Sequence, residues 1–461
     1  MDISANAVDD LEWRADYADD WFWVPDDPDD PALRSPDVAV AALYSSGEAH
    51  TAAVTALEGL SVRARVLIAD EYAAIAMILT DAAACPDPWV GADPTHDPDW
   101  RDPQGRSVAA VRAERRNIAV RAAALDVATR LGMSETAVRT RAAHADTLRE
   151  RCPRIWDAFR AGRLPAQNAT AAAQLAASLP DDAAEAWERF DETLETGAQQ
   201  LPPGKFRLRA RVVRERVHPE SLEVRHQRAA KDRNAWFEAE HDGMATLTVL
   251  GPADRVFAVY DHADAHAQHL RVQPGEERTL AQLRADAILD LMTTAALAGS
   301  DTRAPRPSVA ITVPVMTLLG LDDEPATLDG YGPIDIETAR RLAGEASSWV
   351  RILTHPINGT VLDVDRTTYR VPKALRRWLG VRDTVCIGPG CRRAARDCDI
   401  DHRLEWQHGG ATVDTNLAPL CEGHHVLKSK SKWTLYRDDV TGATWWVSPT
   451  ALTVPTEPAP W

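Results

Sequence analysis

The chain has 461 residues, is 45% hydrophobic and 26% charged, and carries a formal net charge of −17. That length suits two to four domains with a sizeable core. The acidic balance excludes a protein that coats nucleic acid through charge alone, and no apolar run reaches the roughly 18 residues a membrane span needs. With no leader-like basic and apolar start, the expected location is cytoplasmic, away from membranes.

Taken in chain order, residues 1–35 form an acidic segment: Met1 to Leu33 holds eleven Asp or Glu against the single Arg14, which predicts disorder. Residues 36–345 read as a mostly helical domain, alanine-rich with helical spacing in stretches such as AERRNIAVRAAALDVATRLG. A small β element interrupts it. Met244–Leu250, after the Asp242-Gly243 turn signal, and Ser308–Val315 are β-branched enough to predict strands. Leu125–Arg141 has a helix-turn-helix pattern, with Gly132 at the turn, Ser134 as N-cap and Val138 facing in. Arg139 and Arg141 would then face a DNA groove, although two ordinary bundle helices fit the same pattern.

Residues 346–380 read as a connector that carries a basic segment. GYGPI at Gly330–Ile334 marks a turn-dense link before it, and Thr354–Lys373 suggests a hairpin around Asn358-Gly359. Between Lys373 and Arg396, seven cations (Lys373, Arg376, Arg377, Arg382, Arg392, Arg393, Arg396) stand against Asp383 alone. In an acidic chain such a local excess is a better nucleic-acid footprint than the total charge. The end of the chain, Ser448–Trp461, is Pro- and Thr-rich and expected to be loosely ordered.

Six cysteines divide unevenly. Cys85 and Cys152 stand alone in helical surroundings and are expected to be buried as small hydrophobes. Cys386, Cys391, Cys398 and Cys421 cluster, which in a reducing compartment points to metal. Cys386-x4-Cys391 and Cys421-x2-His424 give two short-spaced pairs, a ligand set for one structural zinc. Cys398 lies between the pairs and could substitute for one ligand, but the expectation is a buried strand residue.

Interleaved with these ligands are Asp401-His402, Asn416 and His425. Phosphodiester hydrolysis needs an activated water, a cation against the developing charge and support for the leaving oxygen. His402 can take the proton as general base, while Asp401 and His425 can hold a divalent ion such as Mg²⁺ or Mn²⁺. If Cys421–Lys430 is helical, His424 and His425 point about 100° apart, one toward each metal. Asn416 is expected to tie the loop before the helix, with Gly409-Gly410 allowing a sharp turn, and Lys428 to meet a phosphate. Glu405 and His408 read as bystanders.

On these residues the sequence resembles the HNH endonuclease family, whose motif maps onto His402, Asn416 and His425. The resemblance implies that residues 381–440 form a small α+β, zinc-stapled ββα-metal domain, with a hairpin end and loose tail over 441–461. Two features depart from the family: many relatives have a Cys where His424 stands, and the Pro usual after the Asp-His pair is absent. GYGPI, LAGEASSWVRILTHPINGTVLDV and YRVPKALRRWLGVRDTVCIGPGC also look like actinobacterial HNH proteins of the thirteen-E-twelve repeat type, in which a helical domain of unknown function precedes the nuclease module. The expected function is therefore metal-dependent cleavage of DNA, most naturally duplex, with Lys373, Arg376, Arg377, Arg392, Arg393, Arg396 and Lys428 on the phosphates. A homodimer is one arrangement that would supply a second active site for double-strand cutting. The alternatives are a zinc-containing DNA-binding protein that does not cut, and an HNH nuclease acting on RNA.

Overall fold

The computed structural model describes residues 47–219, 222–294, 311–314, 317, 321–322, 325–328, 331–345, 370–438, 441 and 443–456. The expected acidic front segment, the hairpin of Thr354–Lys373 up to position 369, and the first residues of the strand expected at Ser308 lie outside them. What is described is mostly helical, with small sheets. It divides into two compact units, one within Met1–Pro219, Ile387–Arg392 and Leu420–Pro458, the other within Glu220–Cys386 and Arg393–Pro419.

The first unit is built on helices α1 (Gly47–Ala84), α2 (Val108–Leu131), α3 (Glu135–Arg151), α4 (Pro153–Arg160), α5 (Ala166–Ala177), α6 (Ala184–Gln200) and α7 (Pro203–Val217). Alanine lets these helices approach closely, and the core they share mixes small residues (Ala123, Ala169, Ala172) with large ones (Ile75, Leu148, Phe159, Phe190, Phe206). The sequence-predicted turn between α2 and α3 is present. Gly132 closes α2 at φ 65°, and the Ser134 hydroxyl accepts from the Ala137 amide to start α3. Val138 is buried as expected, but Arg141 is engaged with Glu71 of α1 and lies over the Tyr72 ring. That pair commits Arg141 to the bundle, so the bundle reading of this helix pair is the one the structure favours.

The same unit contains α13 (Glu422–Lys430) and a three-stranded antiparallel sheet of β8 (Thr434–Arg437), β9 (Thr444–Val447) and β10 (Thr453–Pro455). This C-terminal segment is seated on α2. The Trp433 indole N–H donates to the Ala122 carbonyl (3.0 Å), Lys430 pairs with Glu114, and Thr450 bonds buried Asp126. Thr453–Pro455, expected to be loose, instead pairs with Trp445–Val447, because alternation around Val454 suits a strand even beside prolines.

The second unit holds α8 (Leu222–Ala229), a hairpin of β1 (Asn234–Ala239) and β2 (Ala245–Leu250), and the helices α9 (Ala253–Arg271) and α10 (Leu280–Thr294). The hairpin turns through Asp242 and Gly243, both at positive φ, as the Asp-Gly signal predicts. A second small sheet joins β3 (Ile311–Thr312), β4 (Ala326–Leu328) and β5 (Gly332–Ile334), followed by α11 (Ile336–Glu345). The GYGPI stretch, expected as a connection, thus supplies a strand; Pro333 is tolerated because β5 lies at the sheet edge. Last come α12 (Lys373–Arg382) and a two-stranded sheet of β6 (Asp399–His402) and β7 (Leu417–Leu420), with Leu375, Trp378, Leu379 and Leu417 as their core.

Candidate metal centre

Two short segments supply four ligand-type side chains. The first is a knuckle whose arms are joined by the Cys386 amide donating to the Arg393 carbonyl (2.8 Å) and a bridge between Val385 and Ala394. Its tip is closed by the Cys391 amide on the Gly388 carbonyl (3.1 Å), with Gly390 at φ 62°, where glycine carries no β-carbon penalty. The second segment is the start of α13. Cys421 is its N-cap residue and His424 follows three positions later, so the histidine leans back over the cap as helical side chains do.

The ligand atoms of Cys386, Cys391, Cys421 and His424 all lie within 4.8 Å of one another. The Cys391 and Cys421 sulfurs are 4.0 Å apart, and the Cys421 sulfur is 3.3 Å from His424 Nδ1. Tetrahedral coordination at zinc bond lengths separates two sulfurs by roughly 3.8 Å and a sulfur from a nitrogen by roughly 3.5 Å, so the four donors fit a metal ion such as zinc. Burial works against a charged His424, yet hydrogen bonds to Cys391 and Cys421 outweigh it and push the imidazole up to about 9. Gly388 completes the cradle. A β-carbon there would sit 2.3 Å from His424 Cγ, so only glycine lets the knuckle backbone pass this close to the ring. The Trp446 indole N–H holds the knuckle at the Ile387 carbonyl (2.8 Å).

The remaining cysteines separate cleanly. Cys398 is buried just before β6, its sulfur 3.3 Å from the Ala394 carbonyl, outside the ligand group. Cys152 is buried as expected and its thiol is pushed far up by burial. Cys85, expected to be buried, is exposed, because it falls just past the end of α1 where the helix leaves the core.

Asp401 and His402 end β6, and Asn416 directly precedes β7, where its carbonyl accepts from the Arg403 amide (2.7 Å). His402 is buried, with Nε2 3.0 Å from the hydroxyl of Thr412, which is buried too, and its ring edge-on to Trp406. The loop between the strands is tied by Asn416. Its Nδ2 donates to the Leu404 and Ala411 carbonyls (3.0 Å each) and its Oδ1 accepts from the Leu404 amide (2.9 Å). The tie expected before the helix is thus made one segment earlier, between β6 and β7. Gly409 takes φ 90°, and a β-carbon on Gly410 would meet the Leu404 carbonyl at 1.8 Å, so both glycines are structural necessities of this turn. Glu405 and His408 stand at its exposed end.

His425 and Lys428, on α13, are half-buried, and His425 belongs to the unit that carries α2 while Asp401 belongs to the other. Lys373, Arg376 and Arg377 lie on the exposed side of α12, opposite buried Leu375, Trp378 and Leu379, and Arg376 also donates to the Cys398 carbonyl (3.3 Å). Arg392, Arg393 and Arg396 are exposed as well. Arg382, which charge alone placed with them, is half-buried and committed within the fold: it pairs with Asp383 and donates to the Asp414 and Leu417 carbonyls, pinning α12 to β7. Sequence reasoning missed Gly388 and Thr412. Spacing rules report ligands, whereas these two matter through what they touch.

Residues 104–383 match the model of a family described as Domain of unknown function (DUF222). The match ends just before Cys386 and therefore does not include the ligand group. The chain is also similar to the uncharacterized proteins Rv3776 and Rv2100 of Mycobacterium tuberculosis, at 38% identity over 92 residues in both cases. That stretch is 20% of this chain but only 17% and 16% of those relatives, about a sixth of their length. No solved structure matches. No helix among the described residues is long and apolar enough to cross a membrane.

Proposed function

The chain belongs to the DUF222 family, and we propose that the stretch following its family-defining residues is a metal-dependent HNH endonuclease module that hydrolyses DNA phosphodiester bonds. The observation that supports this reading most is the β6–β7 hairpin. It places buried His402 beside Asp401, closes its loop through Asn416, and leads directly into the helix that bears Cys421 and His424. In this reading the Cys386, Cys391, Cys421 and His424 group is a structural staple with no open position, and the segment from Asp399 to Leu427 has the ββα order of the HNH fold.

His402 takes the proton from the attacking water, which lets oxygen bond to phosphorus as the bond to the 3′-oxygen breaks. Asp401 and His425 would hold a divalent ion, Mg²⁺ or Mn²⁺, which when bound supplies positive charge to the phosphate as negative charge builds there. Asn416 acts by holding the loop that packs on His402. Lys373, Arg376, Arg377, Arg392, Arg393, Arg396 and Lys428 meet backbone phosphates of duplex DNA, which makes binding weaken steeply with salt.

Relaxation of supercoiled plasmid by the full chain with Mg²⁺ or Mn²⁺, beside His402→Ala, tests the assignment. The expected loss is at least about 100-fold, the lower range for removing a general base. Equal rates in the two proteins would remove His402 from the chemistry. Parallel digestion of single-stranded DNA and of RNA decides between the DNA reading and the RNA one.

A further inference from the structure

We propose that Thr412 is a positioning residue that fixes His402 in orientation and tautomer. The His402 Nε2 carries the proton and donates it to Thr412 Oγ1, which leaves the lone pair on Nδ1. Both the tautomer and its consequence for cutting rest on the reading of His402 as base, because the threonine hydroxyl can either accept from Nε2 or donate to it.

Buried polar atoms find partners inside the protein, and here the two meet at 3.0 Å with His402 only 6% exposed and Thr412 fully buried. A neutral imidazole has one donor nitrogen and one acceptor, and the partner of one nitrogen sets the role of the other. A hydroxyl on Nε2 is compatible with a base only if Nε2 holds the proton, since otherwise no lone pair is left to receive one. The threonine side chain is well suited to this, because β-branching restricts it about its first torsion.

The loop that carries Thr412 is itself clamped. Asn416 holds the carbonyl of Ala411, the residue immediately before Thr412, and both the amide and carbonyl of Leu404 at the other end. Gly410 lets those ends approach to a distance that no β-carbon would allow, and Trp406, within the same loop, packs edge-on to the His402 ring at 6.0 Å. Asn416 thereby acts on His402 through the loop and the Thr412 hydroxyl. Val413, the next residue, could not serve, since it has no polar side-chain atom.

The test uses the full chain labelled with ¹⁵N-histidine, its His402 signal assigned by loss in His402→Gln. Long-range ¹H–¹⁵N correlations at neutral pH should show the Nε2–H tautomer in the wild type and in Thr412→Ser, and a tautomer mixture in the near-isosteric Thr412→Val. Thr412→Ala provides the same comparison if the valine variant does not fold. In the plasmid assay, Thr412→Val should cut at least tenfold more slowly at saturating DNA, with unchanged KM and metal content, and Thr412→Ser should restore the rate to within about threefold. A merely structural threonine would instead lower stability without moving the tautomer. An unchanged single tautomer in Thr412→Val and Thr412→Ala overturns the proposal. A wild type that never cuts would overturn the nuclease reading, while the tautomer comparison would still decide the role of Thr412.

Discussion

Gly388 shows how much a single missing β-carbon carries. The Cys/His group depends on the knuckle backbone lying against the His424 ring, and any larger residue drives the two apart. Gly388→Ala should lower bound zinc well below the one per chain expected of the wild type and cost about 1–3 kcal/mol, as overpacking usually does. Gly380→Ala is the matched control, because a β-carbon there meets nothing within 4 Å on α12, and the change should be neutral or slightly stabilising. Metal analysis with thermal melts of both variants checks this; equal metal and melting would mean that the knuckle does not need the close approach. At the residue scale the grouping of Cys386, Cys391, Cys421 and His424 was legible, since their spacing alone brings short-range pairs together. Gly388, Thr412 and the engagement of half-buried Arg141 and Arg382 with nearby carboxylates were not, because a sequence lists charges and glycines without showing what stands opposite them.

Local signals served well for some elements and failed for others. Ser134 and Gly132 marked the α2–α3 turn, and Asp242-Gly243 marked a hairpin, because caps and turns are set by a residue's own backbone preferences. Strand β1, the edge strand β5 and the closing strand β10 went unrecognised, since a short strand is made by its partner rather than by its own composition. The seating of the C-terminal segment on α2 is likewise a tertiary fact. Trp433 is 1% exposed and its indole N–H is spent on Ala122, some 300 positions earlier. Trp433→Phe keeps an aromatic ring but removes this buried hydrogen bond and part of the packed indole volume, and should destabilise the chain by about 1–3 kcal/mol in chemical denaturation. Tyr436→Phe, at a half-exposed site on the neighbouring strand, should fall within about 0.5 kcal/mol of the wild type. Equal denaturation midpoints for the two variants would mean that the segment is not anchored through Trp433.

For the molecule as a whole, compactness does not follow chain order. The knuckle tip, α13 and the final sheet group with helices α1 to α7, while α12 and the β6–β7 strands group with the residues after Pro219. Chain order suggests a body followed by a separate module, and periodicity carries no signal for a chain that passes from one unit to the other and back. The net charge of −17 places a further demand on any DNA contact, which must rest on the local cations of α12 and the knuckle rather than on the overall field. The most direct test of the account is plasmid cleavage by full-length protein stripped of metal and reloaded with zinc alone, with Mg²⁺ or Mn²⁺ alone, or with both. The account predicts nicked plasmid only when zinc and one of the other ions are present together. An absence of nicking under every condition, in protein shown to hold one zinc and to melt cooperatively, would contradict it.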